Sequence, residues 1–257
     1  MRPVLKEIQR LRYDVYCLEC GYLPADDFAE RREFDTYDDF SVHCAAAEVG
    51  GKLAGTLRLV LDSPRGFPLE RHAGVLDAAF RAVPRSRTAE ISRLIVARDG
   101  RRLLHTGELG EYSAVLFALF REMNLQSRRL GLDYWLAAME PSLHRLLRRL
   151  LHFAFVPIGE PMEYYGLVVP YIVRIRDVAT TLASKRPHLF RYFGFGESDG
   201  RGGSPLNAFR PEMTDAERHI GIVTRKFTTT SSPGMITARS KPPVDRGAAS
   251  MLSVPIV

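Results

Sequence analysis

Leu5, Ile8, Leu11, Val15 and Leu18 recur at intervals of three and four, which predicts an amphipathic helix from Pro3 to about Cys20, ended before Gly21. Beyond a polar loop the period changes to two. Residues 43–49 and 52–61 read as strands around Gly50-Gly51, a hairpin signal. In the second strand, alternation puts Thr56, Arg58 and Val60 on one face and Leu57, Leu59 and Leu61 on the other. A Pro/Gly/Arg-rich connection and a short helix near 76–80 lead to a third strand over 90–96, and then to a loop carrying Arg98, Arg101 and Arg102. The strongest helical face follows, formed by Tyr112, Val115, Leu116, Leu119, Phe120 and Met123. Residues 134–139 read as a buried strand, 141–151 as a helix with proline in its first turn, and 153–176 as one or two further strands.

This alternation predicts an α/β fold, a mixed central sheet flanked by helices, in one domain over residues 1–197. From Ser198 onward the chain is rich in Gly, Ser, Pro and Thr, so 198–257 is expected to be a disordered or loosely docked extension.

With 257 residues and 46% hydrophobic content the chain can bury a full core. No apolar run is long and charge-free enough to span a bilayer, and none precedes a cleavage-like site, so a cytoplasmic location without an integral membrane segment is expected. Three cysteines, Cys17, Cys20 and Cys44, are too few for a disulfide scaffold. Cys17 and Cys20 have half-zinc-site spacing and His43-Cys44 could add ligands, but there is no second CxxC, and Cys17 lies on an apolar helical stripe with Tyr13 and Tyr16. No metal is expected. The net charge of +6 calls for an acidic partner. Without a zinc-finger pattern or a basic-aromatic stripe, nucleic acid ranks low.

One cluster changes the picture. Glu33-Phe34-Asp35-Thr36-Tyr37-Asp38 concentrates three carboxylates, and Arg12, Arg58 and Arg93 stand at other landmarks, two of them inside segments that read as core strands. An ionised group there is costly unless paired. Asp35 and Asp38 are expected to pair with Arg12 and Arg93. The alternative is an exposed acidic loop and separate surface charges.

The ordered set Arg12…Tyr16, Glu33-x-Asp35-x-x-Asp38, Gly55-Thr56-Leu57-Arg58-Leu59, Phe80 and Glu90-Ile91-Ser92-Arg93 resembles the autoinducer (acyl-homoserine-lactone) synthases and the related N-acyl amino acid synthases. The stretch from Arg12 to Tyr22 is similar, more narrowly, to acyltransferases associated with exosortase systems. The resemblance spans about residues 8–96 and weakens toward 176. It implies a GCN5-related N-acetyltransferase-like fold and transfer of a fatty acyl group from acyl carrier protein to an amine, with no tightly bound cofactor. It implies a polar site of Arg12, Glu33, Asp35, Asp38, Arg58, Glu90 and Arg93, with Tyr16 and Phe80 at the aromatic positions. Lactone synthases usually carry Gly-Trp where this chain has Gly21-Tyr22, and this chain continues further past the shared region. Both departures favour an amino-acid-like acceptor over S-adenosylmethionine.

Acyl transfer from a thioester needs positioning, a proton acceptor and oxyanion stabilisation. Glu90, at the mouth of its strand, is the candidate acceptor, with Arg93 beside it. Strict alternation puts these two on opposite faces, so one site for both requires a bulge. For the donor, the stretch Arg98 to Leu104 lacks the glycine-rich turn that cradles a coenzyme A pyrophosphate, which favours acyl carrier protein. Arg145, Arg148, Arg149 and His152 recur at helical spacing opposite Leu143, Leu146, Leu147 and Leu150; with Arg98, Arg101 and Arg102 they read as a docking face for the acidic carrier, or as an ordinary solvated face. Phe117, Trp135 and Met139 are slot or core residues. The rival readings are a lactone synthase, a coenzyme-A-dependent N-acetyltransferase and a non-catalytic carrier-binding module.

Overall fold

The computed structural model describes residues 3–48, 50–74, 76–97, 114–196 and 220–226. Helix α1 (Pro3–Tyr13) runs into a wider helical turn over Asp14–Glu19, where the Cys20 N–H reaches the Val15 carbonyl at 2.8 Å. The periodicity places a helix here but does not distinguish this i→i+5 turn, which tucks Val15, Tyr16 and Cys17 inward. Strands β1 (Ser41–Glu48) and β2 (Leu53–Leu61) form the expected hairpin. Two short helices follow, α2 (Leu69–His72) and α3 (Ala78–Arg81), then β3 (Thr88–Val96). The first is too short to show a period. Next come α4 (Ala114–Arg129), β4 (Tyr134–Met139), α5 (Pro141–Leu151), β5 (Val156–Pro157), β6 (Met162–Glu163), β7 (Leu167–Arg174), α6 (Ile175–Lys185) and α7 (Pro187–Tyr192). Region 153–176 thus holds three strands rather than one or two, because two are only a residue pair each. Within the segment after Ser198, β8 (Ile220–Lys226) pairs antiparallel with β1, so part of that extension adds a strand to the sheet.

The sheet runs β5-β7-β4-β3-β2-β1-β8, with β6 paired to β7, and is antiparallel except for β3 and β4. Its register separates two faces. Val42, Cys44, Leu57, Leu59, Ala89, Ile91, Trp135, Ala137 and Val173 point into one apolar core, against α4 and α5. On the opposite face the paired positions are His43 and Arg58, then Arg58 and Ser92, then Glu90 and Leu136, then Leu136 and Ile172. This second face is charged on β1–β3 and apolar on β4 and β7, where Phe67, Leu69, Phe80 and Ile158 complete a smaller cluster.

Between Thr56/Ile95 and Arg58/Ser92 one extra residue enters β3, and Arg93 takes φ 52. This is the bulge that a shared site for Glu90 and Arg93 requires. It inverts the alternation, so that Leu94 returns to the main core while Ile95 meets Val15 and Tyr16 under α1. The β3–β4 pairing ends at Ile91 and Ala137, so the two parallel strands part beyond that point.

Phe117, Trp135 and Met139 all belong to the main core, with Trp135 Nε1 donating to Ser127 Oγ at 2.8 Å. No described helix is long and apolar enough to cross a membrane.

Helix α4 lies so close over β2 that a Cβ on Gly55 would meet Val115 Cγ1 at 2.6 Å and the Ile95 carbonyl oxygen at 2.7 Å. Gly55→Ala is expected to cost about 1–3 kcal/mol through overpacking, a fall in Tm of roughly 2–4 °C per kcal/mol by thermal melting.

Candidate active site

The charged face is organised by a closed ring of six alternating charges. Arg12 Nε binds Glu33; Glu33 Oε1 accepts from Arg93 Nη2 at 2.9 Å; the same Arg93 nitrogen reaches Asp35 Oδ2 at 3.2 Å. Asp35 Oδ1 then accepts from Arg58 Nη1 at 2.6 Å, Arg58 Nη1 reaches Asp38 Oδ1 at 2.6 Å, and Asp38 Oδ1 accepts from Arg12 Nη1 at 2.9 Å. The expected pairing of Asp35 and Asp38 with Arg12 and Arg93 therefore accounts for two of the six ion pairs, Arg12–Asp38 and Arg93–Asp35. Glu33 bridges Arg12 to Arg93, and Arg58 joins the two aspartates. Arg12 comes from α1, Arg58 from β2, Arg93 from the β3 bulge and the carboxylates from one loop, so the ring fastens α1 and that loop to the sheet.

Arg12 and Arg58 are almost fully buried, while Asp35 keeps 27% of its side chain exposed. Burial alone would raise the carboxyl pKa values, but the guanidinium neighbours outweigh it. Arg12 and Arg93 hold Glu33 below its ordinary value, Arg58 and Arg93 hold Asp35 far below, and Arg12 and Arg58 hold Asp38 below. Arg58 Nε also donates to Ser92 Oγ at 2.9 Å. Tyr16 lies beneath the ring with the Arg93 guanidinium 5.3 Å from its centroid.

Glu90 stands apart from the ring on the same face. Its side chain is fully buried rather than open at a strand mouth, among the apolar residues of α2 and β4. Oε2 accepts the Leu69 N–H at 2.9 Å, and Oε1 has no hydrogen-bond partner among the described residues. Burial pushes its pKa up to about 8, against the opposing pull of the Leu69 N–H and Arg58. Phe80 packs edge-on against Phe67, 6.5 Å between centroids, within the same cluster. The carboxyl therefore exchanges its proton in the range where a free amine does.

Two neighbours of this face carry no signal in the local sequence pattern. His72 of α2 stacks on Tyr164 with centroids 3.8 Å apart, and Tyr165 lies 6.2 Å from Tyr22. Tyr164-Tyr165 thus straps the turn after β6 across to both α2 and the segment after α1. The adjacent tyrosines before Gly166 are visible in the sequence, but what they cover depends on tertiary contacts.

Arg145, Arg148 and Arg149 are exposed along α5, whose other side buries Leu143, Leu147 and Leu150. His152 leaves the helix at φ 51 as its left-handed cap. Arg98, Arg101 and Arg102 lie outside the described residues. Among the described residues no three His, Cys, Asp or Glu side chains form a metal-binding group. A cleft of about 350 Å³ opens beside α2 and α3, with Glu70, Leu76, Phe80 and Arg81 in its walls.

Between pH 4.5 and 8 the folded protein holds a proton on Glu90 that the unfolded chain releases, so this group makes stability fall as pH rises through that window. Glu90→Gln removes the effect. Its Tm relative to wild type is expected to climb by several degrees from pH 5 to pH 9 in scanning calorimetry; a constant difference would mean that Glu90 ionises normally.

The sequence profile of the N-acyl amino acid synthase FeeM family matches residues 7–174. Among solved structures, a CoA-dependent acyl-homoserine lactone synthase, BjaI, with SAM and isopentyl-CoA, superposes with a TM-score of 0.54 at 24% identity, covering 71% of this chain and 81% of its own. FeeM itself, an N-acyl amino acid synthase from uncultured soil microbes, gives 0.53 at 17% identity over 71% of this chain and 92% of its own. TofI, in a ternary complex with an inhibitor and MTA, gives 0.51 at 22% over 72% and 92%. These similarities show a shared fold. A comparison with curated proteins finds no match. Because the family profile spans well over half of the sequence, from α1 through the charged ring and Glu90 to the end of β7, this chain belongs to the N-acyl amino acid synthase FeeM family and is an acyltransferase.

Proposed function

We propose that the protein moves a fatty acyl group from the phosphopantetheine thioester of acyl carrier protein to the amine of an amino acid or similar small acceptor, in the cytoplasm and without a tightly bound cofactor. The observation that carries this reading is the isolated, buried Glu90 carboxyl, set beside the point where β3 and β4 part and titrating near pH 8. A thioester entering between the separated strands would meet backbone N–H groups that no strand partner occupies, the kind of donor that stabilises an oxyanion.

The amine nitrogen attacks the thioester carbonyl, a C–N bond forms and the C–S bond breaks. The nitrogen's proton passes to the Glu90 carboxylate, and the departing pantetheine thiolate takes up a proton to leave as the thiol. The ring of Arg12, Glu33, Arg93, Asp35, Arg58 and Asp38 joins this surface to α1, and the greater exposure of Asp35 among its carboxylates supports contact with an acceptor there. Gly21-Tyr22, where lactone synthases usually carry Gly-Trp, supports an acceptor of the amino-acid kind.

For the donor, the basic face of α5 supports acyl carrier protein. BjaI, which shares the fold, is CoA-dependent, so the fold alone does not select the donor. BjaI was also solved with SAM, which keeps a lactone synthase as the second reading.

Cells expressing wild type or Glu90→Gln, fed isotope-labelled amino acids, are compared by mass spectrometry of lipid extracts. A labelled long-chain N-acyl amino acid with wild type and not with the variant is expected. A homoserine lactone would select the second reading, and carrier binding without any product would select a non-catalytic module. Reversing Arg148 and Arg149 to Glu is expected to raise the KM for acyl-acyl carrier protein several-fold at low salt, less so at high salt, with kcat retained; an unchanged KM would remove the docking face.

A further inference from the structure

Two buried oxygens on the charged face have no hydrogen-bond partner among the described residues: Oε1 of Glu90 and the hydroxyl of Tyr37. Both side chains sit under the same short helix. The Leu69 N–H of α2 holds the other Glu90 oxygen, and Arg71, two residues on, lies over the Tyr37 ring at 5.6 Å from its centroid. Tyr37 is fixed along its backbone. Its N–H donates to Asp35 Oδ1 at 2.9 Å, its carbonyl accepts from Ser41 Oγ at 2.7 Å, and only 6% of the residue is exposed. Burial raises the pKa of the phenol, Glu90 and Asp35 add to the rise and Arg71 and Arg58 oppose it, so these four groups lie within electrostatic reach of Tyr37. Nothing in the reaction described above uses it.

A buried hydroxyl or carboxyl left unpaired is unfavourable, and two of them beside one short helix point to a polar guest. The guest's chemistry follows from the donor count. A neutral primary amine has two N–H groups and one lone pair. One N–H can go to Glu90 Oε1 and the second to the Tyr37 oxygen, which leaves the lone pair free to attack the thioester. A secondary amine has one N–H and satisfies only one of the two oxygens.

We propose that Tyr37 is a substrate-contacting residue, its hydroxyl and Glu90 Oε1 together gripping the acceptor's nitrogen, and that this pair makes the enzyme selective for primary over N-alkylated amines. The proposal rests on the reading of Glu90 as proton acceptor. The attacking nitrogen gives its proton to Glu90, and Tyr37 accepts a hydrogen bond without changing its own protonation.

The test uses the full chain with decanoyl-acyl carrier protein, the twenty L-amino acids and S-adenosylmethionine as acceptors, and the N-methyl derivative of whichever amino acid is acylated best. Tyr37→Phe keeps the ring and loses only the oxygen. It is expected to lower kcat/KM for the primary amine roughly ten-fold with the carrier-protein KM unchanged, and to narrow the preference for the primary over the N-methyl acceptor by a similar factor. Its Tm should equal or exceed that of wild type, because the hydroxyl it removes makes no bond. Kinetics within two-fold of wild type, or an activity loss accompanied by a lower Tm, would overturn the proposal. Glu90→Gln separates the two levels. If it is inactive while Tyr37→Phe behaves as wild type, the grip fails and the proton acceptor stands; if Glu90→Gln is fully active, or wild type acylates no acceptor, the underlying reading fails and the proposal with it.

Discussion

Six charges can be buried on one face of this sheet only because each has two opposite neighbours. A lone guanidinium at the position of Arg58 would lose several kcal/mol of hydration, and one carboxylate returns only part of that. Closing the ring through Glu33, Asp35 and Asp38 gives every arginine two carboxylates and every carboxylate two arginines. The same closure joins three segments far apart in sequence: α1, the loop before β1, and the β2–β3 pair. Local pieces cannot form this arrangement stepwise without exposing an unpaired buried charge, so the ring acts as one unit that determines where α1 and its aromatic continuation lie.

The β3 bulge follows from the same constraint. A left-handed φ at a non-glycine residue is unfavourable by about 1–2 kcal/mol, yet Arg93 adopts one. The turn brings its guanidinium to the face that already holds Glu90 and Ser92, where Glu33 and Asp35 receive it. It also restores alternation for the end of the strand, so that Leu94 fills the main core and Ile95 fills the space under α1. Backbone strain, charge pairing and core packing are satisfied by one inserted residue. Just beside it the parallel pairing with β4 ends, at Ile91 and Ala137.

Glu90 shows the opposite treatment of charge. The ring carboxylates are held ionised by arginines, whereas Glu90, a short way along the same face, is fully buried beside Leu69 and opposite Leu136 and keeps its proton to about pH 8. One surface thus holds two carboxyl environments, one kept ionised by arginines and one kept protonated by burial. The helix that lends Glu90 its single hydrogen bond also covers Tyr37 and stacks on the tyrosine strap, so the enclosure of the acid depends on a four-residue element too short to show any sequence period.

The sequence by itself determined the order of the main elements from α1 through α5 other than α2, the two faces of β2, the need for a bulge if Glu90 and Arg93 serve one site, and the acidic and basic members of the charged cluster. Periodicity and burial cost are local properties that a single chain displays. It did not determine which acid meets which arginine: Asp35 and Asp38 were expected opposite Arg12 and Arg93, and the structure adds Glu33 and Arg58 to close the ring. Nor did it show the burial of Glu90, the cover supplied by α2 and Tyr164, or the strand β8 at the sheet edge. Those outcomes depend on contacts between residues tens of positions apart, and a side chain's ionisation is decided by the neighbours that only the folded chain brings to it.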